Sequence, residues 1–204
     1  MSLEQALAFF IFAFVAAVTP GPSNVLLTAT GANAGLMRGL SCLFGVVLGM
    51  GFMMSIVAFG LGSVVLDSPQ IMEALKWGGA TFLLWLAWKI ATAQPSAPES
   101  GDDEGQAGEP IGFLGAAGFQ WVNPKSWLVC AGAAGTYLQS DAAGALAQSL
   151  SLGGVFVLAA LPSSFIWLAA GVALQQVLRD SKSQRRFNLV MGALLAGSVI
   201  YFIR

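Results

Sequence analysis

The sequence predicts an all-α, polytopic membrane protein of six transmembrane helices in two inverted three-helix halves, with both termini outside. Three observations carry that prediction. Apolar residues make up 56% of the 204 positions and charged residues only 9%, whereas an average soluble domain is about 25% charged. Mean hydropathy is +0.75. The few charges are also bunched, with Glu99, Asp102, Asp103, Glu104 and Glu109 in one stretch and Arg179, Lys182, Arg185 and Arg186 in another. What remains is nearly charge-free in runs long enough to cross a bilayer, which takes roughly 20 residues.

Six such runs cover approximately Leu3–Thr28, Gly39–Leu66, Ile71–Ala93, Ile111–Leu138, Leu146–Leu174 and Phe187–Ile203. The first lacks the basic flank of a signal peptide, carrying only Glu4, and a second apolar run follows it, so it reads as a span. Lysine and arginine favour the cytoplasmic side. Arg38, Lys89, Arg179, Lys182, Arg185 and Arg186 lie in or beside the odd connections, against Lys76 and Arg204 toward the even connections and the termini. That asymmetry puts the odd loops inside and the termini outside. The chain reads as one transporter-like domain over 1–204: a first half 1–94, a flexible acidic cytoplasmic linker 95–110, and a second half 111–204. The linker's Pro, Gly, Ser and acid content cannot bury enough surface to fold.

Three spans per half make related halves inverted, the build of many secondary transporters, whose sites lie where matching helices are interrupted. Spans one and four should then each carry a helix-breaking polar motif, and both do. The first is Thr19-Pro20-Gly21-Pro22-Ser23-Asn24. Its prolines remove backbone donors and disfavour helix at the residue before each. The helix restarting near Ser23 aims free N–H groups and a positive dipole end into the break, a setting suited to a carboxylate. A kink that serves packing alone is the competing reading.

The second motif is Gln120-Trp121-Val122-Asn123-Pro124-Lys125-Ser126-Trp127. A lysine at the centre of a span costs about 2.5–3.5 kcal/mol on insertion scales, so it is retained for a partner, a substrate or a water-filled path. No acid lies well inside any run, which leaves Lys125 open to a substrate anion; the alternative is that it snorkels to the cytoplasmic headgroups. Gly31, Gly35, Gly39, Gly45 and Gly49 form small-residue ladders for close helix packing, among which Asn33 stands out as a polar residue able to meet a ligand. Leu161-Pro162-Ser163-Ser164 marks a bend in the fifth run, serving either as a kink or as cavity lining. The tryptophans mark interfaces or fill the bundle, and the 179–186 cluster anchors topology.

Composition also excludes functions. The chain has no histidine, so serine–histidine triads and histidine-ligated metal sites are unavailable. A net charge of −1 without a basic face argues against nucleic acid as a partner. Cys42 and Cys130 lie far apart in apolar runs without CxxC spacing, the pattern of buried small hydrophobes. Neither an enzyme, a metal nor a cofactor is called for. A membrane-embedded redox carrier or a non-transporting scaffold are the alternatives to transport. The glycine-rich surfaces would allow a homo-oligomer without establishing one.

Thr19-Pro-Gly-Pro-Ser-Asn24-Val-Leu-Leu with the following glycines, and Asn123-Pro124-Lys125 before an aromatic-rich run, resemble the two signatures of the LysE/RhtB-type amino-acid exporter family. Length, six apolar runs and a polar middle loop extend the resemblance over the whole chain. It implies a multi-pass inner-membrane exporter of amino acids or small derivatives, driven by the proton gradient or membrane potential. The matching positions are Pro20, Gly21, Pro22 and Asn24 in the first signature and Asn123, Pro124 and Lys125 in the second. Joined by Thr19 and Asn33, these are the expected substrate-binding or gating residues.

Overall fold

A computed structural model of the chain describes residues 1–93, 111–138, 144–178 and 180–203. The expected linker at 95–110, and Arg179 and Arg204 of the charge asymmetry, lie outside the described residues. Among those described, every regular element is a helix.

Helix α1 spans Leu3–Val18. Its start is fixed by a reciprocal cap, in which the Gln5 amide donates to the Ser2 hydroxyl at 3.2 Å and the Ser2 amide to Gln5 Oε1 at 3.1 Å. It stops because Thr19, preceding Pro20, is pushed into extended backbone (φ −62°, ψ 130°). Helix α2 restarts at Pro22, a residue suited to a first helical position, and runs to Ile56.

The sequence placed a connection between the first two apolar runs, across 29–38. The backbone instead stays helical there except at Gly35, whose φ of 75° and ψ of −176° turn the chain in one residue. Only glycine enters that region freely. Residues 22–34 thus complete what α1 begins, and 36–56 form a separate helical arm. That arm continues through a wide turn at Val57–Leu61 and the short α3, Gly62–Leu66.

Helix α4 (Pro69–Ala91) starts under a Ser68 hydroxyl that accepts from the Ile71 amide at 3.4 Å. Helices α5 (Phe113–Val122) and α6 (Pro124–Tyr137) are two short pieces separated at Asn123. The long α7 (Ala145–Val177) carries Pro162 inside it, and α8 covers Ser181–Ile203. At the head of α8 the Asp180 carboxylate accepts from the Ser183 hydroxyl and, at 2.8 Å, from the Ser183 amide, which together hold that carboxyl below its ordinary range.

Helix α2 packs along α7 and across α5, α1 lies against α7, and α4 against α8. The glycines set how close these pairs come. A Cβ on Gly31 would sit 2.3 Å from the Leu168 carbonyl oxygen, and one on Gly171 2.2 Å from that of Thr28. On the other face, Gly45 and Gly49 bring α2 against Phe113, Ala116 and Ala117 of α5. The core between the helices holds Phe9, Leu27, Leu43, Met53, Leu83, Phe119, Leu152 and Leu195.

The outside is as apolar as the inside: Leu3, Leu114 and Leu128 are 85%, 82% and 75% exposed. Water would not tolerate so continuous an apolar surface, but lipid does. By length and composition, Pro22–Val65 and Ala145–Gln175 can cross a bilayer, while α1 and α5 are shorter apolar helices. Cys42 and Cys130 are free and fully buried.

Candidate functional site

Breaking a helix inside an apolar bundle exposes backbone groups that need partners. At the first break the side chains of three other elements and one local residue supply them. Asn24 Nδ2 donates to the carbonyls of Ala17 and Thr19 at 3.1 and 2.9 Å. The indole of Trp167, from α7, donates to the Val18 carbonyl at 3.2 Å. Lys125 Nζ, from the head of α6, also donates to the Thr19 carbonyl. The Thr19 hydroxyl turns back to the Val15 carbonyl at 2.6 Å.

On the other side of this break α2 begins without a side-chain cap. Pro22 has no N–H, and the amides of Asn24 and Val25 both return to the Gly21 carbonyl at 3.0 Å. Among the described residues the amides of Gly21 and Ser23 are left without acceptors at this helix end, where the positive dipole end begins.

The second break is capped differently. Asn123 lies in extended backbone and its Oδ1 accepts from the Lys125 amide at 3.1 Å. Its Nδ2 donates to Ser23 Oγ at 3.0 Å. Ser23 Oγ in turn donates to Gln120 Oε1 at 3.2 Å, as does Ser126 Oγ at 3.0 Å, and Gln120 Nε2 returns to the Ala116 carbonyl at 3.1 Å. This chain ties α2, α5 and α6 together. Gln120 and Asn123 are each 1% exposed, so the network lies inside the protein, where unpaired members would be costly. Trp127 braces the break from behind by donating to the Trp121 carbonyl at 2.7 Å.

Both breaks open onto one cavity of about 440 Å³, its open mouth included. Gly21, Ser23 and Asn24 line it from the first break and Gln120, Asn123, Lys125 and Ser126 from the second. Val46, Met50, Val129 and Phe156 form apolar wall, and Ser164, just after Pro162, adds a hydroxyl from α7. Lys125 crosses directly over Gly21: a Cβ there would lie 2.8 Å from its Cδ.

Of the residues singled out from sequence, Gly21, Asn24, Asn123 and Lys125 line the cavity. Thr19, Pro20, Pro22 and Pro124 shape its backbone, Thr19 also by its carbonyl. Asn33 is not brought to it. Its Nδ2 donates to Asn188 Oδ1 at 2.9 Å, and Asn188 Nδ2 donates back at 3.0 Å and to the Ala93 carbonyl at 3.0 Å. That pair ties α2 to α8 and to the end of α4. Lys125, expected to be without an internal partner, has a carbonyl in place of a carboxylate. Gln120, Ser126 and Ser164 stood within the motifs read from sequence but not among the expected site residues; Gln120 stands three residues before Asn123, on the buried face of α5, which is the signal that could have found it.

A family model described as "LysE type translocator" matches residues 14–204. The chain is 34% identical over 194 residues to the cysteine/O-acetylserine efflux proteins of Salmonella choleraesuis (strain SC-B67) and Salmonella typhimurium (strain LT2), covering 92% of each chain. It is 31% identical over 192 residues to that of Escherichia coli (strain K12), again with 92% of each chain covered. No solved structure gives a significant match. The match thus spans both breaks and the helices that bring them together, and the chain belongs to the LysE type translocator family, a family of membrane transporters.

Proposed function

We propose that this protein is a secondary exporter of amino acids or small amino-acid derivatives across the cytoplasmic membrane, with the substrate held between the two broken helices. The observation that carries the reading is that Gly21, Ser23 and Asn24 of the first break and Asn123 and Lys125 of the second, about 100 residues apart in sequence, line a single cavity crossed by a lysine. A structural kink would need neither the lysine nor the shared cavity. The substrate carboxylate is received by Lys125 Nζ and the Ser23 amide, a cation and a helix N-terminus acting on the same anion.

In this reading the chain crosses the membrane six times. The crossings are α1 with 22–34, the arm 36–66, α4, α5 with α6, α7 and α8. The broken first and fourth crossings correspond in inverted halves, both termini lie outside, and the cavity sits near the midplane. Glycine contacts between α2 and α7 and between α2 and α5 let these units rock as packed bodies. The relatives' efflux of cysteine and O-acetylserine makes these two compounds the first substrates to try.

The test is efflux from cells or proteoliposomes loaded with labelled L-cysteine, O-acetyl-L-serine and a panel of common amino acids, comparing wild type with Lys125→Ala at matched membrane abundance. The expected result is efflux of one or a few compounds, reduced at least tenfold in the variant, in the range expected for one lost charge-assisted hydrogen bond of about 1.5–3 kcal/mol. Efflux equal in both proteins would remove Lys125 from the mechanism. No efflux of any compound would overturn the exporter reading and favour a scaffold.

A further inference from the structure

In an α-helix the carbonyl of one residue is taken by the amide four residues on. Pro20 and Pro22 have no amide hydrogen, so the carbonyls of Ala16 and Val18 lose their helical donors. Trp167 replaces the donor for Val18, and Asn24 serves the carbonyl between them, that of Ala17. Among the described residues nothing donates to the carbonyl of Ala16. Ala16 lines the cavity, and helix carbonyls point along the axis toward the C-terminal end, here toward the break. Beside it stands the Thr19 carbonyl, held by Lys125 Nζ. The cavity thus presents acceptors at the end of α1 and donors at the heads of α2 and α6.

We infer that the cavity recognises both poles of a zwitterion: the substrate's α-ammonium takes the Ala16 carbonyl and the Thr19 carbonyl that Lys125 gives up, while its carboxylate takes Lys125 Nζ and the Ser23 amide. This rests on the exporter reading above. The exchange gives the Ala16 carbonyl and the Ser23 amide partners and keeps the Thr19 carbonyl and Lys125 paired. Lys125 leaves the negative end of α1 only when another cation replaces it there, and it moves to the anion that cation brings along. A substrate with its amine blocked leaves the Ala16 carbonyl without a donor and the Thr19 carbonyl with Asn24 Nδ2 alone. One with its carboxylate blocked sets two cations against one helix end.

The side chain meets a different environment. Among the described residues, none that lines the cavity is charged except Lys125, and Val46, Met50 and Phe156 form wall next to the Ser126 and Ser164 hydroxyls. A second ammonium on the substrate would enter this apolar region with no carboxylate to receive it and with Lys125 to repel it. The substrates are therefore small α-amino acids without a cationic side chain, and lysine and arginine are rejected.

The test is counterflow in proteoliposomes. Labelled uptake of O-acetyl-L-serine, L-cysteine and each common amino acid is measured first, then competition at mildly acidic pH against the best-transported probe. The competitors are L-2-aminobutyrate, N-acetyl-L-serine, L-serine methyl ester and L-2,4-diaminobutyrate. The expected result is that aminobutyrate competes and the other three are at least about tenfold weaker. N-acetylserine competing as well as aminobutyrate would overturn the ammonium site, and the methyl ester doing so would overturn the carboxylate site. Equal competition by diaminobutyrate, or transport of lysine or arginine, would overturn the side-chain rule. Each of these would leave the exporter reading standing. Counterflow with no probe at all would overturn both.

Discussion

Gly21 separates a role in positioning Lys125 from a role in backbone shape. Its backbone is fully extended, with φ −177° and ψ −179°, a conformation open to any residue. Alanine there brings no backbone strain, but its methyl group would lie 2.8 Å from Lys125 Cδ and 3.2 Å from Nζ. Ordinary carbon contacts begin at about 3.5 Å, so the lysine stem must retreat by about 0.7 Å at Cδ and further at its tip. The ammonium then loses the Thr19 carbonyl and, with substrate present, the carboxylate. A charge-assisted hydrogen bond is worth about 1.5–3 kcal/mol, or about 10- to 150-fold in affinity. Because a flexible side chain absorbs the clash, unfolding stability should change by less than about 1 kcal/mol. Transport kinetics in proteoliposomes, with thermal unfolding in detergent, read the two effects separately. Gly21→Ala should raise the apparent KM at least tenfold while the melting temperature stays near that of wild type. Wild-type kinetics would refute the placement of Lys125 over the cavity, and a collapsed melting temperature would refute the claim that Gly21 serves the lysine.

Two further substitutions separate packing from binding. Gly171→Ala puts a methyl group 2.2 Å from the Thr28 carbonyl oxygen and 3.0 Å from the Ala32 amide. Both are backbone atoms that cannot swing away, so stability should fall by about 1–3 kcal/mol, read as a lower melting temperature; an unchanged value would mean that α2 and α7 do not meet so closely. Asn188→Ala removes the donor to Asn33 and Ala93 and should destabilise by about 1–3 kcal/mol without changing the KM. Adding Asn33→Ala should then cost much less than it does alone, and a KM change in Asn33→Ala would return that residue to the substrate path.

The parts of this architecture that were legible in the sequence are those set by composition and by proline. Charge-free runs mark the helices, and Pro20, Pro22 and Pro124 mark the breaks, because a missing amide hydrogen acts locally whatever packs around it. The single-residue turn at Gly35 was not legible. It sits among Gly31, Gly39, Gly45 and Gly49, which serve close packing, and nothing local tells a glycine with positive φ from those four. Asn33 misled for a related reason: its partner, Asn188, lies 155 residues away, and no short-range pattern pairs the two. The cavity's remaining polar groups, Gln120 on α5, Ser126 on α6 and Ser164 on α7, converge only through tertiary packing. The proline rule could still foretell that the Ala16 carbonyl lacks a helical donor, but not that Trp167 would serve Val18 and leave Ala16 without one.

The most direct test of the account is whether substrate occupies the space between the two breaks. Ser164→Cys places a thiol in the cavity wall, while the native Cys42 and Cys130 are fully buried and should contribute little background. Ser181→Cys, exposed at the head of α8, is the control. Labelling by a small methanethiosulfonate reagent is followed with and without saturating O-acetyl-L-serine or the best-transported amino acid. The account predicts that substrate slows labelling at position 164 several-fold and leaves position 181 unchanged. Equal labelling at 164 with and without a compound that the protein demonstrably transports would contradict it.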